Sequence, residues 1–216
     1  MALMKSNDVP TDAVALSEIE ATQYVWELVT EWETTADTWA LRYGSVALGG
    51  LNALSGVLIN RYFRQKLKLS TYGYFSSVLP ISVMPGLLTS LFHRHLISTD
   101  MLLMKKEGCP MCYEIRSAAI QLSLGFVYPM VLAPVSALLF ANRYSTYRVP
   151  QLTEGVKVMF KFLRKISRPY NSTLAAIAIT QFVSSSIITH FEMKNHFTLR
   201  RKMAEIENDM EKRKLS

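Results

Sequence analysis

Residues 43–60 read YGSVALGGLNALSGVLIN and carry no charged side chain. The basic sequence Arg61-Tyr62-Phe63-Arg64 follows them directly. A helix rises about 1.5 Å per residue, so about 20 apolar residues cross the hydrocarbon core of a bilayer. We therefore predict that this stretch is a membrane-spanning helix with a positively charged end.

Three more apolar stretches follow, and we predict spans at 72–97, 117–141 and 172–191. Of the 216 residues, 50% are hydrophobic and 19% are charged. A soluble domain usually carries about a quarter charged residues, and a disordered chain lacks so much apolar surface. The predicted fold class is therefore all-α, an integral membrane four-helix bundle with helical polar N- and C-terminal extensions.

The two extensions flank the bundle at 43–191. Residues 1–42 form an acidic amphipathic segment in which Ser17 and Glu20 have capping-box spacing, so a helix is expected to begin near Ser17. This helix either lies at the membrane interface against its own bundle or docks a partner. Its expected apolar side comprises Ile19, Trp26 and Val29, with Tyr24 and Trp39 as further candidates.

The second extension, residues 192–216, is predicted to be a charged helical tail. Its apolar residues recur at heptad-like spacing over fewer than two heptads, which is too short for a stable coiled coil alone. The tail is therefore either a helix with a partner or a solvated helix. The residues with this spacing are Leu199, Met203, Ile206 and Met210.

Basic residues concentrate in two segments between the spans, 61–71 and 142–171, which together hold eleven Lys/Arg and one acid. Four spans place both segments on one side of the membrane, and the positive-inside rule makes this the cytoplasmic or matrix side. The termini and segment 98–116 then lie on the opposite side. The basic residues assigned to the inside include Arg61, Arg64, Lys66, Lys68, Lys157, Lys161, Arg164, Lys165 and Arg168.

These basic segments do not indicate a nucleic-acid partner, because no basic motif interleaved with aromatic residues accompanies them. Segment 142–171 also carries apolar residues among its lysines and arginines. It could lie on the inner leaflet of the membrane or bind an acidic partner.

Small and polar side chains recur at four-residue spacing in the first and fourth spans. Apolar side chains gain little by leaving lipid, so helix association relies on close backbone approach and polar contacts. The predicted helix-packing positions are Ser45, Gly49, Ala53, Asn52, Gly56 and Asn60 in the first span and Ser172, Ala176, Thr180 and Ser184 in the fourth, with Gln181 added.

The second and third spans contain prolines, which remove backbone donors and should kink or open the helices. They are Pro80 and Pro85 in the second span and Pro129 and Pro134 in the third. Broken helices can line a transport site, but no Asp, Glu or Lys lies within a predicted span. A bent, tightly packed bundle is therefore favoured over a transporter.

Cys109 and Cys112 are the two cysteines of the chain and form a C-x-x-C motif. The pair could be a structural disulfide or paired thiols, a redox centre, or half of a zinc site. A zinc site would add two imidazoles from histidines that the predicted topology places on the same side, namely His93, His95, His190 and His196. No other catalytic or cofactor-binding constellation is recognised, so we expect no enzyme activity and no cofactor.

Several segments, in their order along the chain, resemble the transmembrane protein 126 family. They are Gly50-Leu51-Asn52-Ala53-Leu54, Arg61-Tyr62-Phe63-Arg64, the cysteine pair, Tyr128-Pro129 with Ala133-Pro134, and Ala141-Asn142-Arg143-Tyr144. The resemblance implies a multi-span protein of the mitochondrial inner membrane that assists assembly of respiratory complex I. It also implies partners, namely membrane-arm subunits of complex I, the signalling intermediate ECSIT and an acyl-CoA dehydrogenase-like protein.

The sequence and the resemblance together leave two candidate functions. The first is a non-catalytic scaffold for complex I assembly, in contact with the lipid bilayer, with its termini and the Cys109–Cys112 loop on the intermembrane-space side. The second is a membrane thiol-oxidoreductase that uses the Cys109–Cys112 pair. The resemblance carries over no catalytic residues.

Overall fold

The structure is a computed structural model that describes residues 16–103, 109–147 and 156–215. These residues form helices and connections and contain no strand, so the all-α class is confirmed. The principal helices are α1 (Glu18–Glu31), α2 (Thr35–Lys66), α3 (Tyr74–Leu102), α4 (Pro110–Tyr144), α5 (Val156–Ser167) and α6 (Asn171–Leu215). A 3-10 turn at Arg168–Tyr170 joins α5 to α6.

Within the described ranges, three helical stretches are long and apolar enough to cross a membrane: Tyr74–Leu102, Pro110–Tyr144 and Lys157–Met210. They contain the predicted third and fourth spans and all but the first two residues of the second, so the membrane character of the chain is confirmed. The predicted first span lies inside α2, which is not one of the three. The glycine, serine and asparagine residues of α2 lower its hydropathy, and the predicted count of four is not confirmed.

The helix α2 packs against α3, α4 and α6. Its C-terminal half enters the main apolar core with residues of α4 and α6, because Ile59 and Phe63 are almost fully buried there. The partners of these two side chains include Ala133, Ala137, Ala141, Leu174 and Ile177. The helix with the weakest span signal is therefore the one that contacts all three apolar helices.

Both proline-containing helices have wide turns near their prolines. Pro80 lies within a π turn at Leu79–Val83, and Pro85 follows that turn closely. Pro129 follows a second π turn, Ser123–Val127, in α4. A proline has no N–H and its ring clashes with the carbonyl four residues earlier, so a wider turn accommodates it. The predicted local opening is confirmed near Pro80, Pro85 and Pro129, whereas Pro134 lies within an α-helical segment.

The connections are shorter than predicted. The expected loop 98–116 is helical at both ends, since α3 continues to Leu102 and α4 begins at Pro110; residues 104–108 lie outside the described ranges. Proline is favoured at the first position of a helix, which explains the early start of α4. The expected loop 142–171 contains the helix α5. The sequence did not predict this helix as part of a span because its lysines and arginines lower its hydropathy.

The capping box that predicts α1 is present. The Ser17 Oγ accepts a hydrogen bond from the Glu20 N–H, and the Ser17 N–H donates to Glu20 Oε2 at 2.9 Å. The buried face of α1 consists of Val25 and Val29, which pack with residues of α2, α3 and α6. The prediction for Ile19 is wrong: this side chain is 73% exposed because it lies in the first turn, away from that contact.

The predicted tail is the continuation of α6, which runs without a break from Asn171 to Leu215. Leu199 is buried and Met203 half-buried in the cluster that also contains Val25 and Val29 of α1. Ile206 and Met210 are about half exposed. The first half of the heptad-like seam therefore has a partner within the chain, namely α1.

Candidate functional sites: buried polar clusters, a disulfide and a basic helix face

The small residues of α2 allow α3 to approach closely. A Cβ atom on Gly49 would lie 2.5 Å from the Gly86 carbonyl oxygen, and a Cβ atom on Gly56 would lie 2.5 Å from the Ile81 carbonyl oxygen. Such distances leave no room for a side chain, so these positions bring the two backbones together. Of the other predicted α2 positions, Ser45 is buried and Ala53 is half-buried.

The two predicted asparagines of α2 also face α3. Asn52 Nδ2 donates a hydrogen bond to Thr89 Oγ1 at 2.6 Å, and Asn60 Nδ2 donates to Ser77 Oγ at 3.3 Å. All four side chains are buried. Each amide nitrogen donates one hydrogen bond across the contact, so these pairs fix the register of α2 on α3, whereas the amide oxygens Asn52 Oδ1 and Asn60 Oδ1 have no partner among the described residues.

The stripe predicted on α6 is not the packing face of that helix within the chain. Ser172, Ala176 and Thr180 are exposed, and Ser184 is half-buried. The buried face is formed by Leu174, Ile177, Gln181 and Ser185, because this face combines apolar residues for the core with polar residues that find partners on other helices. The spacing of small residues in the sequence therefore did not identify the buried face of α6.

A first polar cluster joins α2, α4 and α6 through two glutamines. Gln121 Nε2 of α4 donates to Gln181 Oε1 of α6 at 2.6 Å. Gln181 Nε2 donates to Ser55 Oγ of α2 at 3.0 Å, and Ser55 Oγ donates to the Gly125 carbonyl of α4 at 2.7 Å. The buried hydrogen bonds of this cluster hold the three helices together. Among its residues, the sequence predicted only Gln181 as a packing position.

A second polar cluster lies around His93 of α3 and Glu192 of α6, which are both almost fully buried. His93 Nε2 is 3.0 Å from Glu192 Oε2. Ser98 Oγ donates to the same carboxylate at 3.3 Å. Gly44 of α2 leaves the space for it, since a Cβ atom there would lie 2.8 Å from Glu192 Oε1.

This cluster continues from His93 towards α4. Ser117 Oγ lies 3.3 Å from His93 Nδ1 and 2.6 Å from Ser185 Oγ. With the imidazole proton on Nε2, the hydroxyl of Ser185 donates to Ser117, Ser117 donates to His93, and His93 donates to Glu192. Every group in this chain then has a partner, which a buried polar network requires.

Sequence reasoning missed this cluster. It treated His93 only as a possible zinc ligand, and it ended the fourth span at residue 191, one residue before Glu192. The signal that could have found it is a carboxylate directly after an uncharged stretch of helix, because such a group needs a partner when the helix continues inside the protein.

In the described part of the chain, the histidines and cysteines do not form the zinc site that the sequence left open as one alternative. No group of three His, Cys, Asp or Glu side chains there is placed to hold a metal ion. His93 is bound to Glu192, while His95 and His190 are exposed. Cys109 and Cys112 form a disulfide, in which neither sulfur is a free thiolate ligand.

The disulfide lies at the start of α4. Cys109 is the N-cap residue, Pro110 occupies the first helical position, and the Cys112 N–H donates to the Cys109 carbonyl at 3.1 Å. Cys109 is half-buried and Cys112 is exposed. The sequence did not suggest a helix N-terminus here. A helix N-terminus favours the thiolate form of a cysteine once the disulfide is reduced, so this position supports the redox hypothesis.

The basic residues do not share one role. Arg64 is 4% exposed and holds the turn after α2, where its guanidinium donates to the carbonyls of Ser70 and Tyr72 at 2.8 and 2.7 Å. It is therefore a structural residue and not part of a basic surface. The predicted basic residues that remain exposed near this turn are Arg61, Lys66 and Lys68.

The helix α5 presents the other basic residues on one face. Its half-buried side, with Phe162, Leu163 and Ile166, packs against the main core. The Tyr62 hydroxyl of α2 donates to the Ile166 carbonyl at 2.7 Å and anchors the end of α5. The exposed basic side chains of this helix and the following turn are Lys157, Lys161, Arg164, Lys165 and Arg168.

The structure thus combines apolar helices, buried polar clusters and an amphipathic basic helix. A family model described as Transmembrane protein 126 matches residues 23–209 of the chain. The chain belongs to the transmembrane protein 126 family. The match includes all of the helices α2 to α5 and most of α1 and α6.

Relatives in the transmembrane protein 126 family cover most of the chain. A Drosophila melanogaster protein named Transmembrane protein 126 is 39% identical over 211 residues, which are 98% of this chain and 95% of the relative. A Mus musculus protein named Transmembrane protein 126A is 31% identical over 149 residues, which are 68% of this chain and 72% of the relative. No solved structure matches the chain.

The segments that resemble the transmembrane protein 126 family occupy structural positions in this chain. Asn52 lies in the contact between α2 and α3, and Arg64 holds the following turn. Tyr128 precedes Pro129 at the end of a π turn, and its hydroxyl donates to the Pro80 carbonyl at 3.2 Å, in the π turn of α3. The motif therefore links the two proline-distorted helices.

Proposed function

We propose that this family member is a non-catalytic membrane scaffold that assists assembly of respiratory complex I in the mitochondrial inner membrane. The link to complex I assembly rests on the family resemblance. The observation that carries the scaffold role is the geometry of α5, which packs its apolar side on the bundle and presents five basic side chains outward with the following turn. Such a face suits acidic partners or an anionic leaflet at the membrane surface.

The proposed topology has four spans, with α2 as the first. A helix of 32 residues is about 48 Å long, which exceeds the hydrocarbon core of a bilayer. Its polar residues are tolerable at that depth because Asn52, Ser55 and Asn60 have partners inside the bundle. In this topology α5 and the turn after α2 face the matrix, and the Cys109–Cys112 disulfide faces the oxidising intermembrane space.

The proposed partners are membrane-arm subunits of complex I, which would contact the spans, and ECSIT with an acyl-CoA dehydrogenase-like protein, which would contact the basic α5 face. The test is co-purification from solubilised mitochondria with identification by mass spectrometry. We expect complex I subunits and assembly factors; a chain recovered without any of them would refute the scaffold.

A charge variant sharpens this test. The variant replaces four exposed basic residues of α5 with glutamine, namely Lys157, Lys161, Arg164 and Lys165. We expect it to lose matrix-side partners by at least about tenfold, because each cation contributes to binding at a charged surface. The matched control replaces Lys212 and Arg213, which are exposed on α6, with glutamine. This control should retain the matrix-side partners. Equal losses in both variants would argue against α5 as the partner site.

The second candidate function is a membrane thiol-oxidoreductase. The observation in its favour is the position of Cys109 at the N-terminus of α4, with Cys112 exposed beside it. Replacing both cysteines with serine separates the two candidates. Loss of complex I assembly with normal folding and normal partner binding would favour the enzyme, whereas unchanged assembly would exclude it.

A further inference from the structure

A groove of about 460 Å³ lies between the start of α4 and the middle of α6. Pro110 lines it on the α4 side. The helix α6 supplies all of the remaining lining, which consists of His190, Met193, Lys194, Phe197, Thr198 and Arg201. The groove is separate from the α5 face and from both buried polar clusters.

The groove offers two cations to a ligand. Lys194 and Arg201 are seven residues apart on the same face of α6, which corresponds to about 10 Å along the helix. Among the described residues, Lys194 has no carboxylate partner within ion-pair distance. Arg201 Nε lies 3.8 Å from Glu205 Oε1, and both side chains are more than 60% exposed, so this pair contributes little.

An apolar surface lies between the two cations. Phe197 is 64% exposed, and Met193, which also lines the groove, is buried. A small inorganic anion gains nothing from an exposed aromatic ring, whereas a ligand with an anionic group and adjoining hydrocarbon contacts both parts of the groove. The chemistry of the groove therefore fits an anionic amphiphile.

The position along α6 identifies the class of amphiphile. Residues 172–191 carry no charge, and charged residues begin at 192, so the groove starts where the apolar part of the helix ends. A spanning helix meets lipid headgroups at such a boundary, and the aliphatic stem of a lysine lies along apolar surface while its ammonium reaches the headgroup.

We propose that this groove binds the headgroup of an anionic phospholipid. Lys194 and Arg201 hold the phosphate, and Phe197 with Met193 contacts the glycerol and the first acyl carbons. The site requires that α6 spans a membrane, but it is independent of the proposed role in complex I assembly.

The experiment uses the full chain in detergent and native mass spectrometry with phosphatidylglycerol or phosphatidylcholine of the same acyl chains. We expect phosphatidylglycerol to be retained preferentially. Lys194→Gln should weaken its retention about fivefold, and Lys194→Gln with Arg201→Gln about 25-fold, since each cation adds a similar attraction to the anionic headgroup. Phe197→Ser should also weaken retention. A Lys212→Gln, Arg213→Gln chain is the matched control and should bind as the unmodified chain does.

Three outcomes would overturn the proposal. The first is equal retention of the two lipids by the unmodified chain. The second is full retention of phosphatidylglycerol by the double groove variant. The third is displacement of the lipid by excess inorganic phosphate together with no effect of Phe197→Ser, which would identify an anion site without lipid specificity. Lys194→Arg keeps the charge and must keep the lipid, which distinguishes charge loss from misfolding.

Discussion

Gly49 and Gly50 are neighbours in α2 with opposite surroundings. A Cβ atom on Gly49 would lie 2.5 Å from the Gly86 carbonyl oxygen, whereas one on Gly50 would meet nothing within 4 Å. We expect Gly49→Ala to lower the free energy of unfolding by about 1–3 kcal/mol, as overpacking does, and Gly50→Ala to be neutral or slightly stabilising. Thermal unfolding in detergent measures both. Similar effects of the two changes would contradict the close contact of α2 with α3.

The His93–Glu192 pair predicts a strong energetic coupling. His93→Ala leaves a carboxylate buried without its main partner, which should cost about 3–5 kcal/mol of unfolding free energy. Adding Glu192→Ala removes that carboxylate, so the double variant should cost clearly less than the sum of the single variants. Glu205→Ala, at an exposed site on the same helix, should change stability by no more than about 0.5 kcal/mol. Additive single effects would show that the pair is not coupled.

Asp37 predicts an acid-dependent loss of stability. Its hydrogen bond with Lys202, and next that with Thr34, lowers the pKa of this carboxyl below its usual 3.8. A lowered pKa contributes stability at neutral pH, and this contribution is lost as the pH falls below 3.8. Asp37→Asn should therefore lose stability at pH 7 and show a shallower dependence between about pH 5 and pH 2. Glu20, whose pKa is also lowered, leaves a residual slope in both chains.

A close helix contact was predictable from the sequence where it depends only on the small size of one residue. Gly49 and Gly56 stood out in the sequence because small residues in an apolar stretch have few uses other than close helix packing. Glu192 did not, because its partner His93 lies 99 residues away and belongs to another helix. A sequence pattern along one helix carries no information about which side chain on a second helix will face it.

The helix α1 docks on the bundle through one face. Val25 and Val29 are buried against the bundle, whereas Ile19 is 73% exposed. We expect Val25→Ser with Val29→Ser to release α1 and to reduce amide hydrogen-exchange protection in Glu18–Glu31 while α2 stays protected. Ile19→Ser is the control and should leave protection unchanged. If α1 kept its protection in the double variant, the docking by these valines would be refuted.

The helix α2 shows why hydropathy underestimates an inner helix. Asn52, Ser55 and Asn60 each make a hydrogen bond to another helix of the bundle, yet each of these residues lowers the average hydropathy of the stretch. The opposite error occurred on α6, where small residues suggested a packing face that Leu174 and Ile177 supply instead. Element positions were predictable from the apolar stretches, but the choice of face depends on the other helices.

The order of the spans along the chain predicts which residues face each side of the membrane. In the proposed arrangement, Cys109 and Cys112 face the intermembrane space and Lys66 faces the matrix. After reduction, we expect the native cysteines to react with a membrane-impermeant maleimide once the outer mitochondrial membrane is removed. Lys66→Cys, in a chain with both native cysteines changed to serine, should react only after the inner membrane is also opened; Lys66 is exposed, so access is not limited by the fold. The reverse pattern would invert the orientation.

The helix α6 has a mechanical consequence for the molecule. Its 45 continuous residues are about 68 Å long, roughly twice the thickness of a bilayer's hydrocarbon core. A tilt of this rod by about 10° around its midpoint displaces each end by about 6 Å. Because Glu192 lies near the midpoint of α6 and is bound to His93, a partner that pulls on the charged end of α6 would strain this buried hydrogen bond directly.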